Sequence, residues 1–155
     1  MFIFNLELIM AEPTLKHIES INIYGFSRRT QNRDEFDEKT AKIPDMWQAF
    51  YASPLAKQTE IYGIYSNYES DTNGFYTVTA GVSDAQSKTG LNEMIIQSGS
   101  YLVFENEGLL PESVIKTWQQ IWEYFTHTTS YQRKFLTDFE LYTSKDKVAV
   151  YIGIH

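Results

Sequence analysis

Ile43-Pro44-Asp45-Met46-Trp47-Gln48-Ala49-Phe50-Tyr51 reads as a helix with one apolar stripe. Ile43, Met46, Trp47, Phe50 and Tyr51 fall at i, i+3, i+4, i+7 and i+8, the spacing of a single helical face. Pro44 is tolerated in a first turn, and Asp45 suits the positive end of the helix dipole. Ser53-Pro54 closes the segment. The same signature returns later in the chain. Leu110-Pro111-Glu112 repeats the apolar-proline-acid start, and Trp118-Gln119-Gln120-Ile121 repeats the Trp-Gln of the stripe. Val114, Ile115, Trp118, Ile121, Trp122 and Phe125 extend that second stripe, predicting a helix about one turn longer than the first.

The flanking segments read as strands. Residues 17–30 are β-branched and aromatic, and residues 31–40 are a charged loop or helix lead-in. Residues 60–68 and 74–82 form a predicted hairpin, with Asn73-Gly74 expected to supply a positive φ. After a loop at 83–91, residues 94–105 are apolar but broken by Ser98-Gly99-Ser100, a bulge or turn. Residues 135–143 and 147–154 make a second hairpin around Ser144-Lys145-Asp146. The order is strand, helix, strand, strand, stated twice. Expected is a duplicated, pseudo-two-fold α+β domain: an antiparallel sheet with two main helices on one face and a central groove between the halves. Residues 1–14 are read as an N-terminal extension and 15–155 as one domain, with repeats at about 15–85 and 92–155.

Composition narrows the function. The chain has no cysteine, so disulfides, thiol nucleophiles and Cys-ligated metals are out. Thirteen Lys+Arg against twenty Asp+Glu give a net charge of −7, the wrong sign for phosphate recognition. The three histidines, His17, His127 and His155, lack metal-ligand spacing, and no phosphate loop, nucleophile elbow or redox-cofactor motif is present. The opening MFIFNLELIM is apolar, but it carries Glu7, has no basic start and is too short to span a bilayer. It reads as an added edge strand, or as sequence preceding a start at Met10. The expected location is the cytoplasm, without membrane insertion or a cofactor.

Aromatic residues are 15% of the chain. Alternation along Asp138-Phe139-Glu140-Leu141-Tyr142 separates Phe139 and Leu141 from Asp138, Glu140 and Tyr142. The first pair is expected to face the helices, and the other three to line a cavity on the opposite face with Tyr151. Tyr65 and Phe75 from the first hairpin are further pocket candidates, and Trp47 and Trp122 are placed at the stripe edges facing the seam. Phe104 is added from the apolar strand of the second half. A carboxylate among tyrosines suits an amphipathic cation through charge, cation–π and apolar contact. The alternative is an exposed Glu140 paired with Lys134 or Lys145.

Taken in order, Ile43-Pro44-Asp45-Met46-Trp47-Gln48, Tyr62-Gly63-Ile64-Tyr65-Ser66, Phe75-Tyr76-Thr77-Val78, Ser98-Gly99-Ser100-Tyr101, Trp118-Gln119-Gln120-Ile121-Trp122 and Asp138-Phe139-Glu140-Leu141-Tyr142 resemble the GyrI-like, or AraC-type, effector-binding domain. The likeness covers about residues 15–155. It is nearest to stand-alone members labelled predicted transcription regulators and to mobile-cassette cationic-drug binders. It implies a small-molecule binding module for amphipathic, cationic ligands, with the pocket carboxylate carried to Glu140, and Tyr151 and Tyr65 among the groove aromatics. The chain has no room for the DNA-binding domain of full-length regulators, so direct DNA contact is not expected. A homodimer or a separate regulatory protein stays open as partner. Two alternatives accompany the likeness. One is hydrolysis of reactive electrophiles, with Glu140 as base and Tyr142 or Tyr151 as donor; the other is gyrase-inhibitor-like protein contact.

Overall fold

The computed structural model describes residues 12–127 and 130–155. The MFIFNLELIM segment, and with it the edge-strand reading, lies outside them. The elements are β1 (Thr14–Ile18), β2 (Ile21–Gln31), α1 (Asn32–Glu35), α2 (Ile43–Tyr51), a 3-10 turn (Pro54–Lys57), β3 (Ile61–Ser66), β4 (Phe75–Val82), β5 (Asn92–Ile96), β6 (Gly99–Glu107), α3 (Glu112–His127), β7 (Arg133–Ser144) and β8 (Lys147–Ile154). The fold is α+β. The eight described strands join one antiparallel sheet in the order β1-β6-β8-β7-β3-β4-β2-β5.

Exchanging β1 to β4 with β5 to β8 simply reverses that order. The two halves meet where β3 pairs with β7, Gly63 opposite Glu140. Each half is strand-strand-helix-strand-strand, one strand more than predicted. The expected strand over residues 17–30 is really two, broken at Glu19-Ser20. β1 leaves its own half to pair with β6, and β5 leaves its half to pair with β2.

The break forces curvature. β1 and β2 hold the first and seventh places in the sheet, about 29 Å apart if it were flat at ~4.8 Å per strand. The three Cα steps from Ile18 to Ile21 reach only about 11 Å. The sheet therefore rolls until its two edges approach. The curvature brings the end of edge strand β5 over β7, where Gln97 N donates to Thr137 Oγ1 at 3.2 Å, and Tyr101 of β6 shares a 2.7 Å hydrogen bond with the same hydroxyl.

Rolling gives two buried faces. On one, α2 lays Met46 and Phe50 over Tyr76, Val78, Ala80 and Val82 of β4. On the same face α3 lays Ile121 over Leu102, Phe104, Val150 and Ile152 of β6 and β8. The seam between the helices runs above β3 and β7. On the other face, Ile23, Tyr62, Ile64, Ile96, Tyr101 and Phe139 form a second core, enclosed by the sheet's own edges. The cavity expected on the helix-free face is thus solid core.

Several local expectations shift. α3 is seven residues longer than α2, about two turns rather than one. Its stripe is rotated, with Ile115 and Trp122 partly exposed while Ser113 and Thr117 are buried. Thr117 satisfies itself by donating to the Ser113 carbonyl at 2.7 Å. In the β3–β4 connection the positive φ falls at Asn67 (50°), not at Asn73-Gly74. At Gly74 an added Cβ would meet Ser70 Oγ, which would have to turn aside. No described helix is long and apolar enough to cross a membrane.

Candidate ligand-binding site

β7 carries two buried carboxylates, Asp138 and Glu140, both on the helix-covered face. Asp138 is fully buried and fully compensated. Arg133 Nη2 donates to its Oδ2 at 2.8 Å, Tyr68 adds a hydroxyl donor, and Gly153 N donates to Oδ1 at 2.8 Å. Arg133 reaches Asp138 because Phe135 takes φ 53° and the β7–β8 register shifts between Arg133 and Asp138.

Glu140 is 4% exposed and has three donors, all on aromatic rings. Tyr142 donates to Oε1 at 2.8 Å. Tyr65 at 2.9 Å and Trp118 Nε1 at 2.7 Å both donate to Oε2. Among the described residues no cation pairs with it. Burial pushes the Glu140 carboxyl above the usual carboxylate range, and the Trp118, Tyr142 and Tyr65 hydrogen bonds pull it partly back. Burial, reinforced by the Glu140 charge, holds Tyr65 and Tyr142 well above the usual phenol value, so both remain donors. The alternative pairing of Glu140 with Lys134 or Lys145 is not what the structure contains.

Sheet register makes the room. Gly63 faces Glu140 across the β3–β7 pair, and a Cβ at Gly63 would lie 2.6 Å from Oε1 and 3.1 Å from Trp47 Cζ2. Trp47 meets Tyr142 edge-on at 5.7 Å, and Tyr65 meets Trp118 at 5.2 Å. The carboxylate is therefore walled by one aromatic from each main helix and one from each seam strand.

A chamber of about 120 Å³ opens beside this cage, bordered by Tyr65, Trp118, Tyr68, Tyr76, Glu35 and Trp122. Tyr65 and Trp118 stand between the chamber and Glu140: each borders the chamber and each donates to Oε2. Glu35 caps α2, accepting from Lys42 N at 2.9 Å and Ile43 N at 3.0 Å.

Five of the eight sequence candidates come together here: Glu140, Tyr142, Tyr65, Trp47 and Trp122. Three do not. Tyr151 stacks on Phe139 at 4.3 Å in the core of the opposite face, because β-pairing sets Phe139 against Tyr151 and Glu140 against Val150. Tyr151 is thus also removed as a proton donor to chemistry at Glu140. Phe75 alternates with Tyr76, and Tyr76 takes the helix-covered face. Phe104 is packed under α3 against Tyr124 and Phe125. The face assignment itself is inverted: Glu140 and Tyr142 look toward the helices, and Phe139 and Leu141 look away. The missed members are Trp118, read only as part of the apolar stripe, and Tyr68, Tyr76 and Arg133; alternation places Asp138 beside Glu140, but not with an arginine of its own. A buried Trp with a free N–H needs a partner, and that is the signal that could have flagged Trp118.

Trp118→Phe removes the shortest donor to Glu140 and leaves a smaller aromatic ring in its place. We expect the Glu140 titration to move further up and stability at neutral pH to fall by about 1.5–3 kcal/mol. Carboxyl NMR titration and urea unfolding read the two effects. An unmoved titration would mean that the Trp118 hydrogen bond does not govern the carboxylate.

The chain matches the family model described as "Cass2: Integron-associated effector binding protein" over residues 14–154. It belongs to the Cass2 family. The integron cassette protein VCH_CASS2, from the mobile metagenome of Vibrio cholerae, is 34% identical to this Cass2-family chain. It superposes with a TM-score of 0.87 over 93% of this chain and 96% of its own. The "Putative transcriptional regulator protein YobU" of Bacillus subtilis is 31% identical, over 90% of this chain and 96% of its own length. SAV2435, solved bound to tetraphenylphosphonium, shares the fold at a TM-score of 0.74 and 20% identity, over 94% of each chain. The resemblance read from the ordered motifs is thereby established at the level of family and fold.

Proposed function

We propose that this Cass2-family protein binds an amphipathic organic cation at the seam, with Glu140 as the charge partner and Trp118, Tyr65, Tyr142, Trp47 and Trp122 as the aromatic surround. The observation that carries this reading is the contrast along β7. Two residues apart, Asp138 has its own arginine, whereas Glu140 has only neutral aromatic donors. A buried carboxylate without a cation is costly, and a bound cation offsets that cost. Aromatic faces within reach add cation–π attraction. The tetraphenylphosphonium bound by SAV2435 is an amphipathic cation and agrees in kind. Residues 15–155 act as one binding unit in this reading, with the groove at the junction of its two halves.

Titration of a hydrophobic cationic dye, followed by tryptophan fluorescence, tests the proposal. Glu140→Gln keeps the shape and removes the charge, and should weaken binding at least about tenfold, the equivalent of ~1.4 kcal/mol. Undiminished affinity in Glu140→Gln would overturn the role of Glu140.

The pH dependence has a definite sign. Because burial raises Glu140 in the folded state, the folded protein binds its proton more tightly than the unfolded chain does. Its contribution to stability is therefore most favourable below the ordinary carboxylate pKa. That contribution is lost as pH rises from there through the raised folded value. A cation selects the ionised form, so dye affinity should rise with pH across the same window. In Glu140→Gln the dependence should be flat.

A further inference from the structure

The chamber beside Glu140 is too small for a whole amphipathic ligand. Its volume of about 120 Å³ falls below the ~300–1,000 Å³ of drug-sized sites. A second chamber of about 880 Å³ adjoins it, and the two share Asn32, Thr72, Trp122 and Arg133 in their walls. The outer chamber lies between α1 with the turn that follows it and the exposed side of α3. Its apolar wall is Phe36, Trp122, Phe125 and Phe135. Phe36 is 80% exposed and Trp122 is 39% exposed, a large aromatic surface to leave in water beside a cavity. The wall shared by the two chambers also holds an unused donor. Arg133 is 92% buried by its side chain, gives Nη2 to Asp138 and lies 4.4 Å over the Phe135 ring. Its Nε–H has no acceptor among the described residues.

We infer that the outer chamber is a second subsite, and that the ligand is an extended molecule: a small cationic head on the Glu140 side joined to an aryl arm lying on Phe36, Trp122, Phe125 and Phe135. The inference rests on the cation reading for its head but not for its arm. The inner volume admits only the head. The four residues that border both chambers mark where the arm would pass outward. A compact, globular cation gains nothing from the outer wall, so the site ranks ligands by reach as well as by charge.

The test compares tetramethylammonium, the head alone, with 4-phenylbutyltrimethylammonium, head plus arm, by calorimetry on the wild type, Phe36→Ala, Phe125→Ala and Glu140→Gln. Phe36 is exposed, so its truncation leaves the core untouched. We expect the arm to raise affinity at least about tenfold, and Phe36→Ala to remove threefold or more of that gain without altering tetramethylammonium binding. If tetramethylammonium binds too weakly to measure, the comparison is made on the arm-bearing ligand alone, wild type against Phe36→Ala. An arm that adds nothing, or an increment untouched by both phenylalanine truncations, overturns the second subsite. If Glu140→Gln spares both ligands while Phe36→Ala still removes the arm's gain, the charge role of Glu140 fails and the outer subsite stands.

Discussion

Asp138→Asn is expected to lower the unfolding free energy by about 3–5 kcal/mol, the cost of leaving a buried partner charge uncompensated. The partner is Arg133, whose side chain is 8% exposed and whose Nη2 sits 2.8 Å from Asp138. Asparagine would preserve the volume and can still accept from Gly153 N. It would lose the charge, and its amide would confront the Arg133 and Tyr68 donors. That loss is a large part of the ~5–15 kcal/mol that holds a domain together. Urea unfolding measures it. The double substitution Asp138→Asn with Arg133→Met should regain much of the deficit, because both charges are then gone. A single-mutant loss below about 1 kcal/mol would mean that water compensates Arg133. Glu140→Gln, on the same strand, should do the reverse in ligand-free protein: at neutral pH it removes a carboxylate whose charged form burial disfavours.

The second large effect is expected at Gly25. There β2 pairs with β4 on one side and β5 on the other, Gly25 standing opposite both Gly81 and Asn92. A Cβ on Gly25 would run into the Ala80 carbonyl oxygen and approach Gly81 Cα to 2.6 Å. On Gly81 it would lie 2.5 Å from the Tyr24 carbonyl oxygen and 2.8 Å from Ile23 Cγ2. These obstacles are mostly backbone, so no rotamer change relieves them. Gly25→Ala should cost about 4 kcal/mol or more and lower Tm by about 10 °C. Gly90→Ala is the control. Gly90 has φ 77° and no atom within 4 Å of an added Cβ, so only backbone strain of about 1–2 kcal/mol applies. Equal effects at the two sites would argue against crowding at the β2–β4 crossing.

The helices were legible because their starts are chemical, Pro44-Asp45 and Pro111-Glu112, and because period 3.6 marks a face directly. Period two is weaker evidence. It separated Phe139 and Leu141 from Asp138, Glu140 and Tyr142 correctly, but a strand buried on both sides does not declare which side meets the helices. That assignment depends on the sheet rolling up, and the rolling depends on Glu19-Ser20, a link with neither glycine nor proline to announce it. Glu140 could be singled out as a carboxylate among tyrosines. Periodicity does not single out its third donor, since Trp118 satisfies the same apolar stripe whether or not its N–H is used; only the need of a buried indole N–H for a partner points to it. Arg133 was hidden for a different reason. Only the kink at Phe135 brings residues 133 and 138 onto one side, and local spacing does not foretell it.

The exchange of β1 and β5 between halves bears on how such a chain could have arisen and on how it can be cut. A half-length protein ending before Asn92 would keep β1 but lose β6, the strand it pairs with, and β2 would lose β5. Its sheet would have two raw edges and an open second core. Two copies of that half would cure each other by trading first strands, each lending what the other lacks. The single chain is, in this respect, a strand-swapped pair joined end to end. Expressing residues 12–91 and 92–155 as separate pieces should therefore yield two chains that order themselves only when mixed.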